Sequence, residues 1–464
     1  MRLRWHDLGT PRADDADDAA VELGGYLASP LPIAQASHCL LVAEPACCAG
    51  CLPRHPLAAV EVFAAAPLPL SGAPVRLSGR WRRQTGADGA PRYQLHDARL
   101  AEPAGWSAVG RRFVLRGAPL MCLAAAAVPT EAAFAQQNQA AQARQAIGGI
   151  ATVDMHSHAG NIIRANLGTE NLYPVAGPMA QGGMAAVCFA IVSDTPTHHI
   201  VNGRIRPYRS PAPGELYDWA QRGFQRLHAL IAQQKLAVIT DAASLRAARG
   251  GTPSAIVAAE GGDFLEGRPD RVDEAYQRWQ LRHLQLTHFR VNELGDIQTE
   301  EPDRGLTDIG AEVIRRCNRL GVVVDTAHGT FELVKRAASV TTRPLILSHT
   351  SLTTKPRPFT RLITPDHARL IAGTGGVVGI WPPGASFPDL TAMAHGMRRM
   401  VEVVGVDHVG LGSDMMGLVG SSVFDNYALL PDLAAAMLSV GFSPAEVGKV
   451  LGGNYVRVFA ATMA

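Results

Sequence analysis

At 464 residues, with 47% hydrophobic and 18% charged side chains, the chain is long enough for two or three domains and a large buried core. Lys+Arg 43 against Asp+Glu 41 leaves a formal charge of +2, too balanced for a nucleic-acid partner. No apolar run has the length and flanks of a membrane span, and seven cysteines, three of them crowded at Cys47, Cys48 and Cys51, do not make a disulfide framework.

Residues 1–107 carry short apolar runs at 39–42, 60–64, 75–77 and 93–95, separated by Pro, Gly and Asp. That spacing predicts a small, mostly β domain. Cys47, Cys48 and Cys51 lie near His38 and His55, but no fourth ligand stands at zinc-site spacing, so a Cys-rich turn is the expectation. Residues 108–146 hold Arg111-Arg112, an apolar stretch at 119–128 and Ala133-Phe134-Ala135. Twin arginines, an apolar segment of secretory length and an Ala-x-Ala end are the parts of a twin-arginine export signal, placed internally here. If the segment is used, residues 136 onward are periplasmic; otherwise the protein is cytoplasmic. An Ala-rich linker helix is the other reading.

From 147 to 464 the pattern alternates strand and helix. Strands are predicted at 150–156, 185–193, 254–260, 284–288, 322–328, 345–349, 376–381 and 408–414. Helices are predicted at 216–233, 272–282, 309–320, 331–340, 365–372 and 393–404, with Thr307 and Thr364 placed as N-caps. Eight apolar strands alternating with helices over this length predict a (β/α)8 TIM-like barrel, an α/β fold. A doubly wound sheet would want a Gly-rich phosphate loop after its first strand, and His156-Ser157-His158-Ala159-Gly160 is not one.

Catalytic groups of such barrels gather at the C-terminal strand ends. There this chain has His156 and His158, then Glu260, His288, His328, His349 and Asp414. One such residue is a satisfied core histidine or a helix-capping aspartate. Seven at equivalent positions are costly to bury without a shared partner. Imidazole and carboxylate donors suit zinc, with manganese, iron or cobalt as substitutes. The count fits two divalent ions, His156 and His158 on one, His328 and His349 on the other, Glu260 between them. A hydroxide held between the ions is the expected nucleophile, Asp414 the acid/base, and His288 the donor to the developing oxyanion.

These residues sit in motifs that resemble the membrane (renal) dipeptidase family of the amidohydrolase superfamily. The matching pieces include Val153-Asp154-Met155-His156, Glu260-Gly261-Gly262, Leu286-Thr287-His288 with Asn292, and Val324-Asp325-Thr326-Ala327-His328. Others are Leu347-Ser348-His349-Thr350-Ser351, the run from Asp407 to Asp414, and Gly453-Asn454-Tyr455-Val456-Arg457. The resemblance implies a binuclear zinc hydrolase that cleaves the amide bond of dipeptides bearing a free C-terminal carboxylate. It places Glu260, His328 and His349 on metal ligands, His288 on the oxyanion-side histidine, and Asp414 on the acid/base. Arg361 matches the arginine that grips the substrate carboxylate, with Arg357 as the other candidate. Two departures stand out: His158 occupies the family's usual Asp position, and Met416 replaces a usual acid. Lactone or phosphoester hydrolysis, or a non-catalytic metal-binding barrel, remain alternatives, and the oligomeric state, homodimer included, stays open. His198, His199, His395 and His408 read as solvated or structural, Cys188 and Cys317 as core thiols, and Trp381 as either a pocket wall or part of a rigid loop.

Overall fold

The computed structural model describes residues 3, 5–8, 10–28, 35–42, 59–69, 74–85, 91–101, 142–201, 204–301, 303–353 and 359–464. The Cys47–Cys51 cluster, His55, the twin-arginine segment and Arg357 therefore lie outside the described residues. The chain divides into two compact units, Met1–Ala127 and Val128–Ala464.

The first unit is a closed five-stranded barrel of β1 (Ala20–Ala28), β2 (Gln35–Val42), β3 (Ala59–Pro69), β4 (Pro74–Thr85) and β5 (Pro91–Leu100), in the order β1-β2-β3-β5-β4. Only β3 and β5 pair in parallel. The four expected apolar runs fall in β2 to β5. β1 was not foreseen, because Gly24-Gly25 interrupts its apolar alternation. Leu23, Leu41, Val62, Leu77, Trp81, Tyr93 and Leu95 fill the interior. Each buried aromatic hands its polar atom to a partner. The Trp81 indole donates to Ala13 O at 2.9 Å and the Tyr93 hydroxyl to Asp14 Oδ1 at 2.6 Å.

The second unit is an α/β barrel with eight parallel strands: β6 (Val153–Ser157), β7 (Ala186–Val192), β11 (Ser254–Glu260), β12 (Leu281–Gln285), β13 (Val323–Asp325), β14 (Leu345–Thr350), β15 (Val377–Ile380) and β16 (Val409–Leu411). A hairpin of β8 (His198–Val201) and β9 (Arg204–Pro207) follows β7, and short β10 (Ala237–Val238) pairs beside β11. Every residue of the eight strands is buried, as helices on the outside and side chains within require. The expected helix N-caps hold: Thr307 accepts from Gly310 N and Thr364 from His367 N. No helix among the described residues is long and apolar enough to cross a membrane.

Three strands end a full three residues earlier than the sequence predicts. The expected strands at 284–288, 322–328 and 408–414 stop at Gln285, Asp325 and Leu411. His288, His328 and Asp414 thus sit on loops just past the rim. His328 (φ 68°) and Asp414 (φ 48°) have left-handed backbone, which no β ladder continues through.

The barrel closes where β6 meets the segment after β16. Asp414 N donates to His156 O at 2.9 Å, and His158 N to Met415 O at 2.9 Å. Asp154 locks this seam, accepting from Ser413 N at 2.8 Å, Ser413 Oγ at 2.5 Å and Tyr427 OH at 2.9 Å. Closure of the fold and placement of the first two histidines against Asp414 are one event.

Candidate metal centre

The five expected ligands converge. Glu260, the last residue of β11, is buried, and four imidazoles aim Nε2 at its carboxylate. His158 stands 3.0 Å from Oε2, while His156, His328 and His349 stand 3.4, 3.3 and 3.5 Å from Oε1. Between Nε2 atoms, His156 lies 3.3 Å from His158 and His328 lies 3.1 Å from His349. Two atoms bound about 2.1 Å from one ion at tetrahedral angles stand about 3.4 Å apart. The separations seen here fit shared coordination.

The far side of the rings supports the same fit. His158 Nδ1 lies 2.7 Å from Ala190 O, His328 Nδ1 3.0 Å from His288 O, and His349 Nδ1 2.8 Å from Ser348 Oγ. With Nδ1 protonated against these acceptors, Nε2 presents a lone pair inward, the tautomer that a ligand needs. Burial first, then the charge of Arg361 for His328 and of His156 for His349, holds both imidazoles well below their ordinary pKa. Burial also disfavours the cation at His158, but Asp414 and Glu260 outweigh it and lift the group to about 10, so at His158 the Nε2 lone pair becomes available when a metal cation displaces the proton. Negative charge therefore crowds one side of the cup, where His158 stands. Burial likewise opposes the charge of Glu260, yet His288 and His156 draw its pKa well below the usual range. Nitrogen and oxygen donors in this arrangement suit divalent zinc or a similar ion.

Asp414 and His288 flank the cluster. Asp414 Oδ1 is 3.3 Å from His158 Nε2, and His288 Nε2 is 3.4 Å from Glu260 Oε2. Gly417 makes the tight approach possible, since a Cβ there would collide with Asp414 and the His158 ring. Arg361 reaches the same cup, donating to Gln298 Oε1 at 2.6 Å and His349 O at 3.3 Å. Burial lowers its pKa to about 10. Met416, by contrast, is 42% exposed.

Several residues of the site were not foreseen. Asp194, fully buried just after β7, accepts from His288 Nδ1 at 2.7 Å and Phe289 N at 3.0 Å, fixing that ring. It directly follows the predicted strand 185–193, so the strand-end rule extended by one residue finds it. Asp325 ties three strands together: Oδ1 accepts from Ala327 N and Ser348 N, and Oδ2 faces His283 Nε2 at 3.1 Å. A carboxylate inside an apolar strand was the available signal, as it was for Asp154. Gln285 supports the cluster from below, its amide 3.4 Å from Glu260 Oε1.

His198 corrects the expectation of a solvated side chain. It is largely buried at the base of the β8–β9 hairpin, Nδ1 3.4 Å from Asp194 Oδ1. His199 is exposed and stacks on Tyr208 at 4.9 Å. His408 is structural, Nδ1 2.8 Å from Gly376 O. Cys188 and Cys317 are buried free thiols, as expected.

The model of the family described as membrane dipeptidase (Peptidase family M19) matches residues 175–464. Dipeptidase tcpJ of Claviceps purpurea is 30% identical over 224 residues, 46% of this chain and 52% of that protein. Dipeptidase verJ of Clonostachys rogersoniana is 28% identical over 221 residues, 45% of this chain and 55% of that protein. The chain thus spans about half the length of the curated relatives it matches. Among solved structures, the probable dipeptidase PvdM of Pseudomonas aeruginosa superposes with TM-score 0.60 at 15% identity, over 70% of this chain and 99% of that one. A metallo peptidase of Rhodobacter sphaeroides, liganded with a phosphinate mimic of the dipeptide L-Ala-D-Ala, gives TM-score 0.57 at 20% identity, over 68% and 99%. At these identities the superpositions speak to the fold.

Proposed function

This chain belongs to the membrane dipeptidase family, Peptidase family M19, and on that premise we propose that it is a metal-dependent dipeptidase, hydrolysing the amide bond of dipeptides with a free C-terminal carboxylate. The observation that carries this reading is the convergence of His156, His158, His328 and His349 on the single buried carboxylate of Glu260, with ligand-type separations throughout. His156 and His158 would hold one divalent ion, His328 and His349 a second, with Glu260 shared, and zinc suits the donors. Such ions, when bound, make water acidic near neutral pH and polarise a carbonyl oxygen.

The chain's own groups do the rest. Asp414 takes the proton of the attacking water at a carboxylate oxygen and returns it to the leaving amine nitrogen. His288, its Nδ1 anchored on Asp194, donates through Nε2 to the oxygen on which negative charge grows. Arg361, held by Gln298 and the His349 carbonyl, receives the substrate's carboxylate. His158 in place of an aspartate removes one negative charge from the donor set. Its Nε2 still stands within reach of both Glu260 and Asp414.

The test uses the full chain, stripped with a chelator and then reloaded with zinc, on a panel of L,L and L,D dipeptides. Turnover that disappears on stripping and returns on reloading is expected. A zinc-replete protein that cleaves no member of the panel overturns the reading. Export through residues 108–146 is part of the proposal, and periplasmic residence follows from it. Mass spectrometry in cells should then find a mature N-terminus near residue 136, and an intact Met1 on all of the protein would rule this out.

A further inference from the structure

The β8–β9 hairpin is fastened beside the cup by contacts that the proposed chemistry does not use. After β7 the chain makes one turn over Thr195-Pro196-Thr197, in which Thr197 N and Oγ1 donate to Asp194 O at 2.9 and 2.8 Å. That turn folds His198, the first residue of β8, back against Asp194. His198 Nδ1 stands 3.4 Å from Asp194 Oδ1, the oxygen that already accepts from His288 Nδ1 at 2.7 Å. The His198 ring meets the His288 ring edge-on at 5.7 Å and the Phe289 ring at 6.2 Å. Its Nδ1 is buried and makes no hydrogen bond among the described residues, so Asp194 is the acceptor within reach. A move of about half an ångström closes the contact. Metal binding is the other use for one carboxylate and two imidazoles whose ligand atoms lie within 4.8 Å of one another. The 2.7 Å between Asp194 Oδ1 and His288 Nδ1 decides against it: that is a hydrogen-bond length, short of the about 3.4 Å between two atoms on one ion. The other strand of the hairpin is held as well. Tyr208 N donates to Thr197 O at 2.9 Å, and Arg206 Nη1 in β9 donates to Thr299 O at 2.9 Å and Glu300 Oε1 at 3.3 Å. His198 is thus presented to Asp194 by an anchored element.

We infer that His198 is a positioning residue for His288: its Nδ1–H donates to Asp194, and the carboxylate so held keeps the His288 ring turned with Nε2 toward the reacting carbonyl oxygen. The inference rests on the dipeptidase reading and adds a part to it. Asp194 Oδ2 accepts from Phe289 N at 3.0 Å, so with His198 the carboxylate has three donors and cannot turn about its Cβ–Cγ bond. With one donor fewer it can turn, and His288 swings with it. His198 takes up no proton in this scheme, and its effect reaches the reaction through Asp194 alone.

His198→Phe keeps a ring and deletes the N–H, whereas His198→Asn puts an amide N–H near the place of Nδ1. On a cleavable dipeptide the phenylalanine variant should lose about ten-fold in kcat with KM within about two-fold, at unchanged zinc content and thermal midpoint. Asparagine should restore kcat to within about three-fold of wild type. Once Asp194 is replaced the dependence should vanish, so that Asp194→Asn alone and combined with His198→Phe agree in kcat within about two-fold. Full kcat in His198→Phe, a loss that asparagine does not relieve, or losses that multiply in the double variant would overturn the assignment. A crystal structure of zinc-loaded His198→Phe reads the positioning without turnover, and its His288 ring should be rotated or split between two orientations. A His288 ring still fixed at hydrogen-bond distance from Asp194 sinks the inference. A displaced ring in a protein whose wild type cleaves no dipeptide would instead leave the positioning standing and refute the activity.

Discussion

The molecule contains two closed β-barrels that treat polar atoms in opposite ways. In the five-stranded barrel the interior is apolar, and the aromatic residues Trp81 and Tyr93 pass their polar atoms to Ala13 and Asp14. Among its described residues no cluster of metal-binding side chains appears. In the eight-stranded barrel, buried carboxylates and imidazoles crowd one rim, and Glu260, Asp194, Asp325 and Asp154 each face several donors. The first pattern is what stability alone produces. The second carries a desolvation cost that only function or a bound cation accounts for. Burial of charge, more than barrel closure, separates a scaffold from a site.

This contrast can be broken by substitution. Glu260→Gln removes the charge that all four imidazoles share. Bound zinc, measured by atomic absorption, and dipeptide turnover should both fall by more than about 100-fold, beyond what loss of an outer partner costs. Asp414→Asn should lower kcat by about 10²–10⁴-fold while zinc content holds, which separates proton transfer from metal binding. Retention of full activity in either variant would place the chemistry elsewhere. In the small barrel, Trp81→Ala should cost about 3–5 kcal/mol of unfolding free energy, read from the denaturant midpoint of that unit, with zinc content unchanged. A matching loss of zinc would show that the two units are coupled. Ser348→Ala, which frees His349 Nδ1, should weaken zinc affinity by about 10–100-fold in a competition titration and leave thermal stability nearly as it was.

The sequence made some parts of the molecule plain and concealed others. Glu260, His349 and the His156/His158 pair were legible because hydrophobic runs mark strands and the polar residue that ends a run stands out. The caps at Thr307 and Thr364 were legible for a similar local reason, a hydroxyl before an amphipathic segment. The early ends of β12, β13 and β16 were not. His288, His328 and Asp414 follow apolar or small residues that read as strand, while their loop geometry, including positive φ at His328 and Asp414, arises from packing at the rim.

Alone, then, the chain's pattern determined that a parallel α/β barrel forms and which side chains crowd its rim, because strand periodicity and residue type are local properties. Tertiary structure decided the pairings that no spacing encodes: Asp194 on His288, the Asp154–Ser413 lock at the closing seam, and Arg206 of β9 on Thr299. Those contacts join residues up to 259 positions apart. They exist only after the sheet has closed and drawn its ends into one cup.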